Sequence, residues 1–188
     1  MNSDERLELL KDLRSGKMAL AQVLEGVSEE MASRKPAPDR WSILECMEHL
    51  AVAESYMLKM TLAAVEVAEP RMNAMREKAI RERGADRTRR VESPEVARPA
   101  GRFATLAKAA DAFNVSRDQA IAFVEKSGDD LRAKITEHPL IGAVNCYENL
   151  LIMAAHPLRH SKQIQEIRDA IAGHAAAGLM GEQKNAEF

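Results

Sequence analysis

Apolar residues recur along most of this chain at the three- and four-residue spacing that places them on one helical face. Leu10, Leu13, Leu20, Leu24 and Val27 predict a first helix from about Asp4 to Glu25. Gly26 is a fitting stop, and Gly16 weakens the helix locally. Ser28-Glu29-Glu30-Met31 adds a further turn, and Pro36 and Pro38 impose an extended connection. A second stripe comprises Ile43, Met47, Leu50, Glu54 and Met57, flanked by Leu44, Ala51 and Leu58. Its start is marked by Ser42-Ile43-Leu44-Glu45, a capping box, with Trp41 and Cys46 at hydrophobic-staple positions. Phe103, Leu106, Ala110, Phe113, Ile121 and Val124 predict a third helix over 103–127, ended by Gly128. The fourth starts near Asn145, where Asn145 and Glu148 again have capping-box spacing, and continues to Ala172 with Gly173 as its stop. At 1.5 Å per residue that is a rod of about 40 Å.

Between the second and third helices, from about Ala68 to Arg102, the pattern breaks down around Pro70, Pro94 and Pro99. Met72, Met75, Ala79 and Ile80 suggest one short helix inside it. Ten Lys/Arg against five Asp/Glu lie between Arg71 and Arg102. These arginines fit a solvated connector or, alternatively, a surface for an anionic substrate. The expected architecture is all-α: a four-helix bundle, residues 1–173, with a long crossover between helices 2 and 3. Residues 174–188 are expected to form a small, polar, poorly packed tail, with His174 exposed.

Composition narrows the class. The chain has 188 residues, 46% hydrophobic and 30% charged, enough for one domain with a sizeable core. The low aromatic share, 4%, favours helix packing over sheet packing. A net charge of -2 gives no electrostatic case for nucleic acid or an acidic membrane surface. The two cysteines, Cys46 and Cys146, have neither disulfide-framework nor zinc-ribbon spacing. The first residues are polar, no apolar signal region follows, and no run reaches the length of a membrane span, so a cytoplasmic location with reduced thiols is expected.

Candidate chemistry concentrates in His156-Pro157-Leu158-Arg159-His160. Two histidines four apart stand about 6 Å apart at Cβ on one helical face. They share a stripe with Ile152, Met153, Gln163, Ile164 and Ile167, so they interrupt a face that should point inward. A buried imidazole needs partners. The pair reads either as two satisfied core histidines or as part of a metal site. Pro157 between them costs about 3 kcal/mol in a helix interior and bends the helix there. His49 lies two turns into the second helix. Alone it reads as structural, but in a bundle it can meet His156 and His160 from the facing helix. Arg117 lies in the apolar stripe of the third helix, where a guanidinium must be paired. It is expected either to hold a buried carboxylate or to reach the site as a substrate-binding residue. Glu45 and Glu148 sit near the histidines but read first as cap partners, and Cys46 reads as packing.

The motif Trp41-Ser42-Ile43-Leu44-Glu45-Cys46-Met47-Glu48-His49-Leu50, with His156-Pro157-Leu158-Arg159-His160-Ser161-Lys162-Gln163-Ile164, resembles the DinB-like superfamily of metal-dependent four-helix-bundle proteins. Val91-Glu92-Ser93-Pro94-Glu95, Arg98-Pro99-Ala100-Gly101-Arg102-Phe103 and His138-Pro139-Leu140-Ile141-Gly142 are also similar to that family. This family is distinct from the lesion-bypass polymerase that shares the name. The resemblance covers about Asp4 to Ala172. It implies a divalent metal held by one histidine on the second helix and the pair on the last, carried over here as His49, His156 and His160. It also implies a homodimer, and relatives that include thiol-dependent transferases and isomerases.

Three neutral imidazoles leave coordination positions open, the pattern of a catalytic site, and suit zinc, nickel or iron. The expected function is a metal-dependent enzyme acting on a small molecule, such as transfer involving a low-molecular-weight thiol. The alternatives are a metal-dependent hydrolase and a metal-stabilised binding or stress-response module without turnover. No catalytic base stands out.

Overall fold

The computed structural model describes residues 1–89, 91–128 and 130–185, with the side chains of the last helix described to residue 173. Four long helices form the bundle: α1 (Ser3–Leu24), α3 (Ile43–Leu62), α5 (Leu106–Lys126) and α6 (Cys146–Asn185). A short α2 (Glu29–Ser33) follows α1, and α4 (Ala74–Arg83) lies in the crossover between α3 and α5. The architecture is the expected all-α bundle. No helix among the described residues is long and apolar enough to cross a membrane.

Local chemistry accounts for the helix starts. The Ser42 hydroxyl accepts from the Glu45 N–H at 3.1 Å, and the Ser42 N–H donates back to the Glu45 carboxylate at 2.8 Å. Asn145 and Glu148 exchange the same pair of bonds at 2.8 and 3.0 Å. Asn2 and Glu5 form a third capping box at the head of α1. Each box satisfies two of the orphan amides of a helix N-terminus. The turn after α1 uses Gly26 at φ 72°, a left-handed conformation that glycine adopts without steric penalty.

Two departures from the expected layout are clear. The first is a small antiparallel sheet of order β1-β2-β3, built from β1 (Val65–Glu66), β2 (Lys134–His138) and β3 (Gly142–Asn145). Ile135 pairs with Val65 on one side and with Asn145 on the other. The expected turn at His138-Pro139 is thus the tip of a β2–β3 hairpin. The second is α6, which does not stop at Gly173 but runs to Asn185. The boundary expected at 173 is therefore not a helix end. The exposure expected for His174, and the end of the tail at 186–188, lie outside the described residues.

The core divides into two apolar clusters. One contains Leu9, Leu13, Leu58, Val124, Leu150 and Met153. The other contains Leu20, Met47, Leu50, Phe113 and Ile164. Along each long helix the boundary between them falls near one of four residues: Gly16, Glu54, Arg117 and Pro157. Glu54 and Arg117 are fully buried there and pair through both carboxylate oxygens, at 2.6 and 2.9 Å.

The crossover is exposed or half-buried over most of its described length, as a connector should be, but several of its arginines are paired with the bundle. Arg76 reaches Glu148, Arg81 reaches Asp12, Glu8 and Tyr147, and Arg87 grips Glu166 with two N–H groups. The short helix inside the crossover exists, but Met72 and Met75 are exposed; Ile80 is the apolar residue that packs against the core.

Candidate metal centre

His49 projects from the second turn of α3, and His156 and His160 from successive turns of α6. The three meet. His156 Nε2 lies 3.1 Å from His49 Nε2 and 3.1 Å from His160 Nε2. Ligands of one ion, each about 2.1 Å from it, stand about 3 Å apart or slightly more. The His156 ring stands edge to face with both others, at interplanar angles of 79° to His49 and 84° to His160, while His49 and His160 are tilted at 54°. His49 and His160 are buried, and His156 is half-buried.

The arrangement is not self-sufficient as hydrogen bonding. His49 Nδ1 lies 2.8 Å from the Ala97 carbonyl, which can only accept, so Nδ1 carries the proton and Nε2 points inward as a lone pair. His156 Nε2 then faces two nitrogens. With three neutral rings, whichever tautomers the other two adopt, one of the two 3.1 Å contacts is left without a matching donor and acceptor. Protonating a ring is opposed. Burial holds His156 and His160 well below the usual histidine value, and the neighbouring imidazoles add to that depression. His156 Nδ1, also buried, finds no partner among the described residues. A divalent cation accepts all three lone pairs at once, so the donor set fits a metal. The three ligand atoms lie within 4.8 Å of one another.

A second layer orients this set. Ala97 belongs to a single 3-10 turn, Glu95–Ala97, in the crossover. Ser93 Oγ adds a contact to His49 Nδ1 at 3.2 Å. The turn is tied to α3 by Glu48, whose carboxylate accepts from the N–H groups of Ala100 at 2.7 Å and Gly101 at 3.0 Å and from Arg102 at 2.8 Å. Trp41 stands against His49, ring centroids 5.1 Å apart, so it walls the site as well as anchoring the helix start. Of these, Ala97, Ser93 and Glu48 are not singled out by helical spacing or by ligand chemistry in the sequence. The available signal was a charged residue directly before His49 on a largely buried helix.

The sequence model of the DinB superfamily matches residues 12–164, most of the chain. The chain belongs to that superfamily. A relative in Bacillus subtilis (strain 168), "Uncharacterized protein YuaE", is 26% identical over 148 residues, covering 79% of this chain and 90% of that protein. A solved structure, "Crystal structure of TT2238, a four-helix bundle protein", superposes with a TM-score of 0.56 at 19% identity, covering 86% of this chain and 98% of that one. That likeness concerns the fold.

The remaining candidates fall away from the triad. Arg117, for which two roles were open, pairs with a buried carboxylate. It is fully buried and makes four hydrogen bonds, to Glu54, Leu13 and Met153, leaving no surface for a substrate. Glu45 is engaged in its capping box and with Lys35, and Glu148 in its own box and with Arg76. Cys46 is fully buried, and burial pushes its thiol up to about 12, so it stays protonated.

Proposed function

We propose that this protein binds one divalent metal ion through Nε2 of His49, His156 and His160 and uses it in a reaction on a small molecule, with low-molecular-weight thiol transfer as the favoured chemistry. The observation carrying the reading is the inward convergence of three imidazole nitrogens that neutral rings cannot satisfy among themselves. Zinc, nickel and iron all suit three imidazoles. Bound there, such an ion supplies a positive charge that favours the thiolate form of a thiol, or hydroxide from water, at an open position. The chain's own residues do the rest. Ala97 keeps the proton of His49 on Nδ1, Trp41 covers one side of that ring, and burial keeps the imidazoles neutral and available.

Thiol transfer is favoured over hydrolysis because hydrolysis calls for a general base, and Glu45, Glu48 and Glu148 are each held in structural hydrogen bonds. In thiol transfer the sulfur gives up its proton to solvent and forms a bond to an electrophilic carbon. The leaving group departs with the bonding pair. The test begins with the metal content of the purified protein, measured by mass spectrometry. Metal-loaded protein is then incubated with a panel of small thiols and electrophiles, with His156→Ala as control. Turnover unchanged in His156→Ala rejects metal catalysis. Metal-dependent ester or amide hydrolysis without thiol turnover rejects the thiol chemistry and leaves the site standing.

A further inference from the structure

Pro157 stands directly beside His156, inside the helix turn that links it to His160, and it brings no N–H. The carbonyl of Met153, one turn earlier, therefore has no helical donor. Arg117 Nη2 supplies one from α5, at 2.5 Å. The same guanidinium donates through Nη1 to the Leu13 carbonyl of α1 at 2.9 Å. Its Nε and Nη2 hold Glu54 of α3 at 2.6 and 2.9 Å. One buried side chain thus joins all four long helices at a single level. Two of those helices, α3 and α6, carry the three histidines.

We propose that Arg117 is a positioning residue of the metal centre, acting through the Met153 carbonyl that Pro157 leaves free. A proline removes the bond that fixes the pitch of its turn, and helices bend at such points. Here the replacement donor comes from a neighbouring helix and is itself fixed by Glu54. The turn presenting His156 and His160 is thereby set against α3, which presents His49. Planar guanidinium geometry matters for this, because three acceptors on three helices are met at fixed angles. A lysine can keep the charge opposite Glu54 but not that fork. This inference rests on the metal reading above.

The test measures metal binding in the full-length protein rather than turnover. Zinc affinity is determined by competition with a chromophoric chelator, and the ligand field by visible absorption of the cobalt-loaded protein. The variants are Arg117→Lys, Pro157→Ala and the two combined. Arg117→Lys should weaken zinc binding by about tenfold, the lower end of what losing a direct partner of a metal ligand costs, since Arg117 acts on the histidines only through the Met153 carbonyl, and should alter the cobalt spectrum. Pro157→Ala restores a backbone N–H that can satisfy Met153, so the combined variant should recover most of the loss. If Arg117→Lys does not fold, Glu54→Gln with Arg117→Met takes its place in the same comparison. A guanidinium that merely stabilises the fold would lower the melting temperature while leaving zinc affinity and the cobalt spectrum unchanged, and that result overturns the proposal. So does failure of Pro157→Ala to recover any affinity. Absence of metal binding in the unmodified protein would reject the metal reading as well, whereas binding there with no change in the variants rejects only the role of Arg117.

Discussion

The carbonyl of Ala97 accepts the Nδ1 proton of His49 and so decides which nitrogen of that ring faces the centre of the bundle. Ala97 has no side-chain chemistry; its backbone is placed by Glu48, the residue next to His49 in sequence. Glu48→Ala leaves the N–H groups of Ala100 and Gly101 without their acceptor and frees the turn. Ala100 and Gly101 are exposed, so water can replace the lost acceptor and the stability cost stays at about 1 kcal/mol, that of an ordinary hydrogen bond, whereas a defect in an outer partner lowers metal affinity about tenfold or more. The variant should therefore melt lower and bind zinc more weakly, as read by thermal unfolding and chelator competition. Wild-type zinc affinity in Glu48→Ala would mean that the turn holds His49 without its help.

Metal removal should destabilise the fold. The triad ties α3 to α6, and a ligand bound only by the native state adds RT ln(1 + [L]/Kd), about 4 kcal/mol when free metal is a thousandfold above Kd. Chelation is expected to lower the melting temperature of the metal-loaded protein, and His160→Ala should abolish that sensitivity. Equal melting with and without chelator, in protein verified to contain metal, would refute this.

Acid should weaken the junction between α1 and the crossover. Hydrogen bonds from Arg132 hold the Glu5 carboxyl below its usual value of 4.5, and Arg132 also grips Glu77. A carboxyl whose pKa is lower folded than unfolded contributes stability that is complete above the unfolded value. That contribution disappears as pH falls through the lower, folded value. Wild type should thus exceed Glu5→Gln in urea midpoint at neutral pH, and the gap should close below about pH 4. A gap that widens on acidification would contradict the pairing.

Native Cys46 should resist thiol reagents. The thiolate is the reactive form, and burial keeps Cys46 protonated with a pKa of about 12. Labelling with a chromogenic disulfide should be slow in the folded protein and rapid in guanidinium, which is readily followed by absorbance. Rapid native labelling at Cys46 would instead indicate an open path to the side chain.

What was legible in the sequence was what depends on neighbours in sequence. The boxes at Ser42/Glu45 and Asn145/Glu148 each lie within four consecutive residues, and the stripes of α3 and α5 follow from helical period alone. The His156/His160 pair was visible for the same reason, and His49 joined it because bundle helices face one another. The sheet escaped because β1 has two residues and pairs with β2 some seventy positions away. The pairing of Arg76, Arg81 and Arg87 escaped because their partners, Glu148, Asp12 and Glu166, sit on distant helices. Gly173 was expected to end α6 from its propensity, which costs only about 1 kcal/mol and does not by itself stop a long helix. Gly16 weakens α1 by propensity alone, but its meaning lies in what approaches it.

That approach makes the sign of one substitution predictable. Gly16→Ala on an ordinary exposed helix would stabilise by about 1 kcal/mol. Here a Cβ at position 16 would stand 2.7 Å from Pro157 Cγ and 2.8 Å from the Ala154 carbonyl oxygen. Both distances are well inside van der Waals contact. The oxygen is backbone and cannot rotate away, and the proline ring is nearly rigid. To accommodate the methyl, α1 and α6 must separate, which disturbs the Leu13 and Met153 carbonyls held by Arg117. Overpacking of this kind costs about 1–3 kcal/mol, more than the propensity gain. Gly16→Ala should therefore destabilise the protein in urea unfolding. Pro157→Ala in the same chain should relieve part of the loss by removing the ring contact, though not the Ala154 contact. If Gly16→Ala were stabilising, the close seating of α1 on the Pro157 turn would be wrong.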